Sequence, residues 1–273
     1  MDKVKRVERV IVMMRVLCGM PNQIIPYSRF CEMFQLAKSS VSEDVAMIER
    51  AVKTWDLGEV ETVTGAAGGV RFRPRVSKSA TLSFVQTLCE QLNAPERMLP
   101  GGYLYLSDLL AEPKLVRRMG DILAGPYFDQ GIDFVLTMET KGIPVATMTA
   151  EALHVPLVIA RRASKVYEGS AVNINFPDGK GGIETMSLAR RAVKSGQRAL
   201  IVDDFMRRGG TARGIIALMA EFGVCVAGLA FVLAQDGEAL IADLPVHPLM
   251  YFKTEEGRDA MVVRPAPWVE QPE

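Results

Sequence analysis

The sequence predicts an α/β protein in which an N-terminal winged helix-turn-helix precedes a parallel-sheet domain. Two observations support this assignment. Three amphipathic segments and two short strand-like segments occupy residues 1–75, whereas strand-like runs alternate with helical segments in the later part of the chain. A length of 273 residues is sufficient for two domains. We expect the first domain at 1–75, a linker at 76–82 and the second domain at 83–273.

The composition excludes several classes of protein. The chain is 49% hydrophobic and 23% charged, with a formal net charge of zero, and no apolar run approaches the roughly 18–20 residues of a membrane span. The start of the chain, "MDKVKRVERVIVMMRVL", lacks the apolar core and cleavage site of a signal peptide. The four cysteines are scattered and there are only two histidines, so we expect no zinc site. These features predict a cytoplasmic protein without a membrane partner.

The first three predicted helices follow from apolar periodicity and end signals. Apolar residues recur at helical spacing from Val4 to Leu17, and Gly19 and Pro21 end that segment. The second helix is expected from Tyr27 to Leu36, with Ser28 as its N-cap. The third is expected in "AKSSVSEDVAMIERAVKTW", with Ser39 or Ser40 as its cap.

A predicted hairpin completes the winged helix-turn-helix. The stretch "VETVTGAAGGVRFRP" has the pattern of strand, glycine-rich turn and strand. In such a module the third helix presents its first residues to the major groove and the hairpin lies along the DNA backbone. The candidate DNA contacts are Arg6, Lys38, Ser39, Ser40, Ser42, Arg71 and Arg73.

Charge favours DNA binding by this module, although an alternative remains. Residues 1–80 hold 13 Lys and Arg against 9 Asp and Glu, and the basic side chains cluster at the start of the chain and on the hairpin. Basic runs are more often simply solvated, and Glu43 and Asp44 lie near the presumed reading end. A small helical dimerisation module is therefore the competing interpretation.

The second domain is predicted from alternating elements. Strands are expected at 133–138, 156–161, 171–176, 198–204 and 226–234, and helices at 114–130, 143–153, 186–195 and 211–222. This alternation predicts a parallel sheet, which binds ligands beyond the carboxyl ends of its strands. The proline-rich tail after Arg264 is expected to be disordered.

The stretch "LIVDDFMRRGGTARGI" indicates the ligand of this sheet. Two acids end a buried strand, and a glycine-rich loop then leads into a helix. Glycines and a helix N-terminus suit a phosphate, whereas the carboxylates suit hydroxyl groups or a metal that bridges to them. A ribose 5-phosphate carries both kinds of group. The stretch matches neither the Walker loop nor the GxGxxG dinucleotide pattern.

The acid pair, the double glycine and Thr211 resemble the signature of the type I phosphoribosyltransferases, which bind phosphoribosyl pyrophosphate (PRPP). Two further stretches support this resemblance. "TMETKGIPVA" (137–146) resembles the family's pyrophosphate loop, and polar residues 163–187 resemble its mobile flap. The resemblance implies a type I phosphoribosyltransferase-like fold for the second domain.

A second resemblance covers nearly the whole chain. Residues 84–113, together with "AKSSVSED", "GAAGGV", "TKGIP", "MSLA" and "VDDFM", resemble the bacterial purine operon repressors. The resemblance implies a DNA-binding repressor of purine biosynthesis genes. It also implies that the phosphoribosyltransferase site has lost catalysis and senses PRPP with Mg²⁺, and that PRPP weakens binding to operator DNA. The implied PRPP site comprises Tyr103, Thr140, Lys141, Gly142, Arg162, Lys165, Asp203, Asp204, Phe205, Met206, Arg207, Arg208, Gly209, Gly210 and Thr211. Arg207-Arg208 departs from the family pattern, which has one basic and one small residue at this place, and this predicts different electrostatics for the glycine-rich loop.

Two rival functions remain open at this point. One is a working purine phosphoribosyltransferase that carries an N-terminal dimerisation module. The other is an RNA-binding regulator, which is disfavoured because the N-terminal module suits duplex DNA better than single-stranded RNA. We expect a homodimer, because winged helices usually read two-fold-related sites. Purine nucleotides that compete for the pocket are further candidate partners.

Overall fold

The computed structural model describes residues 4–65, 68–100, 103–163, 169–177, 182–207, 209–237, 240–254 and 261–270. The chain divides into two compact units, Met1–Ser77 with Ala152–His154 and Lys78–Glu151 with Val155–Glu273. A helix begins at Lys78, so most of the segment expected as a linker (76–82) is helical. Within the described ranges, no helix is long and apolar enough to cross a membrane.

The first unit has the predicted order of three helices and a hairpin. Its elements are α1 (Arg6–Gly19), α2 (Tyr27–Phe34), α3 (Lys38–Thr54), β1 (Glu59–Val63) and β2 (Gly69–Arg73). The two strands are antiparallel, with Val60 opposite Phe72. Both residues are buried in one core with apolar side chains of the three helices, among them Met13, Leu17, Phe30, Val41 and Ile48.

The predicted helix caps in this unit are wrong. Helix α2 is capped by Pro26 and helix α3 by Ala37, and neither makes a side-chain capping bond. A capping residue must precede the helical residues. Ser28, Ser39 and Ser40 instead lie inside the first turns of their helices.

The second unit contains the predicted parallel sheet. Its helices are α4 (Lys78–Leu92), α5 (Pro113–Ala124), α6 (Ile143–Leu153), α7 (Gly210–Glu221) and α8 (Pro267–Glu270). Its strands are β3 (Met98–Leu99), β4 (Tyr103–Leu104), β5 (Phe134–Met138), β6 (Leu157–Ala160), β7 (Ala171–Pro177), β8 (Ile183–Ala189), β9 (Arg198–Met206), β10 (Cys225–Gln235), β11 (Leu240–Ile241), β12 (Leu244–Thr254) and β13 (Met261–Pro265). Three short 3₁₀ turns span Pro95–Arg97, Leu109–Ala111 and Gly125–Tyr127.

The main sheet is mostly parallel. Its strand order is β11-β12-β10-β9-β5-β6, and β13 also pairs with β12. Strands β6, β5, β9, β10 and β12 run parallel, whereas β11 and β13 pair antiparallel with β12. The centre of this sheet is buried on both faces, as its continuous apolar runs predict.

Two predictions for residues 171–195 are wrong in part. The strand at 171–176 exists, but it pairs with β8 in a separate antiparallel hairpin rather than within the main sheet. The helix expected at 186–195 is absent, because residues 183–189 form strand β8 instead. There the backbone pairs with β7, and Ser187 also exchanges hydrogen bonds with Arg161. The pairing of these residues with β7 and Arg161 determines their structure, although their local apolar pattern is also compatible with a helix.

The C-terminal tail is ordered through Glu270, contrary to expectation. Helix α8 follows β13, and its Trp268 indole donates a hydrogen bond to the Pro248 carbonyl. Ala266 and Val269 are buried, so the tail contributes to the core. The helix expected at 114–130 is also shorter than predicted, because the chain turns into a 3₁₀ segment at Gly125-Pro126.

Candidate functional site

A pocket opens where the carboxyl ends of three strands meet. Strands β5, β6 and β9 are parallel neighbours, so Met138, Ala160 and Met206 end them at the same edge of the sheet. The pocket has a volume of about 370 Å³, within the range of small-molecule sites. It is lined by Met138, Glu139, Thr140, Lys141, Arg162, Asp203, Asp204, Phe205 and Thr211.

The two predicted acids lie together near the end of β9. Asp203 Oδ1 accepts a hydrogen bond of 2.9 Å from the backbone N–H of Asp204. Burial, together with the charge of the adjacent Asp204 carboxylate, raises the pKa of Asp203 well above its ordinary value. A buried acceptor of this kind gains most from a ligand that brings hydrogen-bond donors or a cation.

The glycine-rich loop leads into the start of helix α7. Gly209 caps this helix with φ of 66° and ψ of 8°, a left-handed conformation that glycine adopts without strain. Thr211, two positions later, lines the pocket. The start of α7, with its first N–H groups and the positive end of its dipole, therefore lies at the pocket. This arrangement suits a phosphate group.

The second predicted loop approaches the acid pair closely. Thr140 and Lys141 are exposed and line the pocket, and a cis peptide bond joins Glu139 to Thr140. Gly142 is buried beneath them. A Cβ atom at this position would collide with the Asp203 carboxylate and lie 2.8 Å from Thr137 Oγ1. Only glycine permits this close packing of the loop on β9.

Glu139 and Arg162 connect the loop to neighbouring strands. The Glu139 carboxylate accepts a hydrogen bond of 2.9 Å from the backbone N–H of Arg162 and one of 3.2 Å from the Arg161 guanidinium. The Arg162 guanidinium pairs with Glu184 of strand β8 at 2.8 Å. The negative charge of Glu139 is thus offset, while Arg162 links the pocket to the β7–β8 hairpin.

The predicted site and the observed pocket overlap in part. Seven predicted residues line it: Thr140, Lys141, Arg162, Asp203, Asp204, Phe205 and Thr211. Met138 and Glu139 were missed, although both lie within the loop stretch that the sequence identified. Of the remaining predicted residues, Gly142 packs beneath the loop, and Gly209 and Gly210 begin α7.

Several predicted residues lie away from the pocket or cannot be placed. Tyr103 lies on β4 with 55% of its surface exposed and does not line the pocket. Met206 is buried in the core, and Arg207 is exposed beyond the lining. Lys165 and Arg208 lie outside the described residues, as do 164–168 and 178–181 of the predicted flap.

The described part of the predicted flap is the hairpin of β7 and β8. It packs on helix α7 through the contact of Phe176 with Gly214. The two residues are so close that a Cβ atom at Gly214 would lie 2.9 Å from the Phe176 ring. Phe176 is buried in this contact. The hairpin is therefore attached to the helix that begins at the glycine-rich loop.

In the first unit, the two hairpin arginines are engaged within the fold. Arg71 pairs with Glu61 at 2.6 Å, and the Arg73 guanidinium donates to Asn22 at 3.1 Å. Arg73 is only 4% exposed. The guanidinium of Arg73, a candidate DNA contact, is therefore buried within the fold, where it fixes the hairpin to the loop after α1.

The N-terminal residues of α3 form an accessible part of the predicted DNA surface. Lys38, Ser39 and Ser42 are exposed and Ser40 is half-buried. Arg6 pairs with Asp44 at 2.8 Å and with Glu43 at 3.4 Å. Asp44, one of the two acids that seemed to oppose DNA binding, is buried between Arg6 and Arg9.

Both parts of the chain match known families. Residues 5–74 match the family described as the N-terminal domain of the bacterial purine repressor. Residues 106–254 match the phosphoribosyl transferase domain.

Relatives of three kinds were found. The chain is 43% identical over 236 residues to the purine biosynthesis transcriptional repressor PurR of Bacillus subtilis, covering 86% of this chain and 83% of that protein. It is 42% identical over 242 residues to the transcriptional activator PurR of Lactococcus lactis subsp. lactis, covering 88% of this chain and 89% of that protein. It is 31% identical over 138 residues to a xanthine phosphoribosyltransferase of Streptococcus pyogenes, covering 49% of this chain and 72% of that enzyme.

Solved structures agree on the fold of the second unit. The adenine phosphoribosyltransferase of Rhodothermus marinus superposes with a TM-score of 0.53 and 27% identity, covering 62% of this chain and 98% of that one. The Trypanosoma brucei enzyme superposes with a TM-score of 0.51 and 19% identity, covering 65% of this chain and 82% of that one. The parallel sheet with its pocket is thus a phosphoribosyltransferase-type fold.

Proposed function

The chain belongs to the bacterial purine repressor family, and from that membership we propose that it is a DNA-binding transcription repressor of purine biosynthesis genes. Its effector in this proposal is PRPP, which weakens operator binding. Residues 1–75 form the DNA-binding domain, and residues 83–273 form the effector domain. One relative is named a repressor and another an activator. That this chain represses rather than activates transcription is therefore part of the proposal.

The observation that carries the effector assignment is the composition of the pocket. One wall is the start of helix α7, where backbone N–H groups suit the phosphate of the ribose 5-phosphate. Asp203 and Asp204 supply acceptors for ribose hydroxyls. Lys141 and Arg162 supply cations for the diphosphate. PRPP contains all three kinds of group within one small molecule.

The acid pair also fits a magnesium ion. Mg²⁺ is typically bound by one or two carboxylates together with substrate phosphates, and Asp203 and Asp204 are two carboxylates beside the proposed diphosphate site. When bound, Mg²⁺ would neutralise diphosphate charge. This fit does not require a dedicated protein cage, and the described residues assemble no group of three His, Cys, Asp or Glu that could hold a metal.

The DNA assignment draws on the first unit. Family membership indicates duplex DNA as its partner, and the exposed start of α3 offers Lys38, Ser39 and Ser42 for contact with it. A homodimer would place two such helices on two-fold-related half-sites.

A catalytic phosphoribosyltransferase is the second candidate, and similarity to xanthine phosphoribosyltransferases favours it. We propose that the site has lost catalysis, because the similarity to the regulators covers both units whereas the similarity to the enzyme covers 49% of this chain.

Two measurements test the proposal. Gel shifts with a purine-gene promoter fragment should show binding that falls as PRPP and Mg²⁺ are added. Incubation with PRPP and each purine base should release no pyrophosphate. Turnover of roughly 1–1,000 per second would establish the enzyme instead, whereas DNA binding that does not respond to PRPP would remove the effector assignment.

A further inference from the structure

Thr137 is a buried polar residue that takes part in none of the contacts described for the pocket. It is the one polar side chain of strand β5, "FVLTM", and it is 0% exposed. Its Oγ1 atom has no hydrogen-bond partner among the described residues. Leaving a buried hydroxyl unpaired is destabilising. By contrast Thr149, equally buried in α6, donates to the Val145 carbonyl at 3.0 Å.

The geometry places this hydroxyl beside the acid pair. Strands β5 and β9 are adjacent and parallel. Gly142 packs against both the Thr137 hydroxyl and the Asp203 carboxylate. A Cβ atom at this position would collide with Asp203 Oδ1 and would lie 2.8 Å from Thr137 Oγ1. The two side chains therefore flank the same point beside Gly142, in the loop that also contains Thr140 and Lys141.

We propose that Thr137 is a positioning residue for Asp203 in the ligand-bound protein. Its hydroxyl donates a hydrogen bond to the Asp203 carboxylate and holds it in the orientation that accepts ribose hydroxyls. This inference rests on the proposed PRPP site.

The chemistry requires such a donor. Asp203 Oδ1 accepts a hydrogen bond from the Asp204 N–H, and the Asp203 carboxyl group also contacts the Asp204 side chain. A carboxylate has about four acceptor positions, so the Asp203 carboxylate can accept a further hydrogen bond. In this proposal the Thr137 hydroxyl, which lies with the carboxylate beside Gly142, rotates to fill one of these positions.

The inference predicts a combination of effects that a purely structural role does not. Thr137→Val replaces an unpaired hydroxyl with a methyl group of nearly the same volume. Because the hydroxyl is unpaired without ligand, this variant should be more stable than wild type, with a melting temperature higher by about 2–4 °C. It should nevertheless bind PRPP with Mg²⁺ about tenfold more weakly, because Asp203 loses its donor.

Two further variants complete the test. Thr137→Ser restores the hydroxyl and should bind PRPP within about twofold of wild type. Thr149→Val removes a paired hydroxyl far from the acid pair in sequence and should lower the melting temperature without changing PRPP affinity. Calorimetric titration of full-length protein with Mg²⁺ and PRPP gives the affinities, and thermal unfolding without ligand gives the stabilities.

The outcomes separate the two proposals. If wild type binds PRPP and Thr137→Val binds it equally well, the positioning role is wrong and the proposed function stands. Equal weakening in Thr137→Ser and Thr137→Val also overturns the role, since packing would then be responsible. A lower melting temperature in Thr137→Val means that the hydroxyl is structural. If wild type does not bind PRPP, both proposals fail.

Discussion

Glu139 is an acidic residue inside the proposed phosphate site. Its carboxylate pairs with the Arg161 guanidinium and accepts a hydrogen bond from the backbone N–H of Arg162. The Arg162 guanidinium is in turn paired with Glu184 at 2.8 Å. A diphosphate that is to bind Arg162 must therefore compete with the Glu184 carboxylate.

This competition predicts the effect of Glu184→Gln. Removal of the carboxylate charge frees Arg162, so PRPP with Mg²⁺ should bind about two- to fivefold more tightly, the size expected for a solvent-exposed ion pair. Calorimetric titration measures the change. Glu151→Gln, which removes the exposed partner of Arg117, serves as the control and should leave affinity unchanged. Equal or weaker PRPP binding by Glu184→Gln would show that Arg162 does not contact the diphosphate.

Asp121 of α5 is unfavourably placed as a charged group. Burial raises the pKa of Asp121 to about 7, although Arg117 and Arg118 act in the opposite direction. A carboxyl group whose pKa is higher in the folded state than in the unfolded state favours folding when protonated. That contribution is complete below about pH 4 and is lost as the pH rises through about 7.

Asp121→Asn should therefore stabilise the protein in a pH-dependent manner. The variant and wild type should have similar melting temperatures at pH 4, where Asp121 is neutral. Above pH 7 the variant should be more stable by about 1–3 kcal/mol, because it avoids a buried charge. Thermal unfolding across this range measures the difference, with the exposed Asp243→Asn as control. A stability difference that does not vary with pH would contradict the assignment of this carboxyl group.

At the scale of elements, the sequence predicted those parts whose signal is local. The winged-helix order and the β9-loop-α7 unit follow from short motifs: a hairpin turn, an acid pair at a strand end and a glycine before a helix. Strand β8 could not be predicted in this way, because "MSLARRAVKSG" (186–196) has helical periodicity. Its first four residues nevertheless belong to β8, where they pair with β7. The order of the C-terminal tail likewise depends on a distant contact, between Trp268 and Pro248.

The same limit applies to the candidate site. The seven predicted residues that line the pocket lie in two loops, near the end of one strand and at the start of one helix, which are places that short sequence motifs identify. Arg73 has the residue type of a DNA contact, but its partner Asn22 is 51 positions away in the chain. No local pattern in the sequence indicates that the Arg73 guanidinium is buried against another element.

Helix α3 is the element on which the DNA assignment can be tested. Lys38 is exposed at the start of this helix, beside the Tyr27 ring. If it contacts a phosphate, Lys38→Ala should weaken binding to all duplexes alike and reduce the slope of log affinity against log salt by about 0.9. Lys53→Ala, exposed near the other end of α3, is the matched control. An unchanged slope would move Lys38 to base readout, and unchanged affinity would remove it from the DNA surface.

At the scale of the whole molecule, the proposal requires two ligands to be coupled. PRPP can weaken operator binding only if it has different affinities for the free and the DNA-bound protein. By the same linkage, operator DNA must weaken PRPP binding by the same factor. The acid pair is the group whose loss should separate effector binding from DNA binding, since both acids lie in the second unit.

The double variant Asp203→Asn with Asp204→Asn tests this coupling. Asparagine keeps the shape of each side chain, and its amide oxygen can still accept the Asp204 N–H bond, so the fold should persist. The variant loses the charge that binds Mg²⁺ or accepts strong hydrogen bonds from ribose hydroxyls. It should therefore bind operator DNA like wild type and remain bound when PRPP is added, as a super-repressor.

Gel shifts across a PRPP titration measure this, with Asp243→Asn as the control that should release DNA normally. Release of DNA by the double variant at the wild-type PRPP concentration would mean that the acid pair is not the sensor. Loss of DNA binding without PRPP would mean that the pair also supports the DNA-binding state.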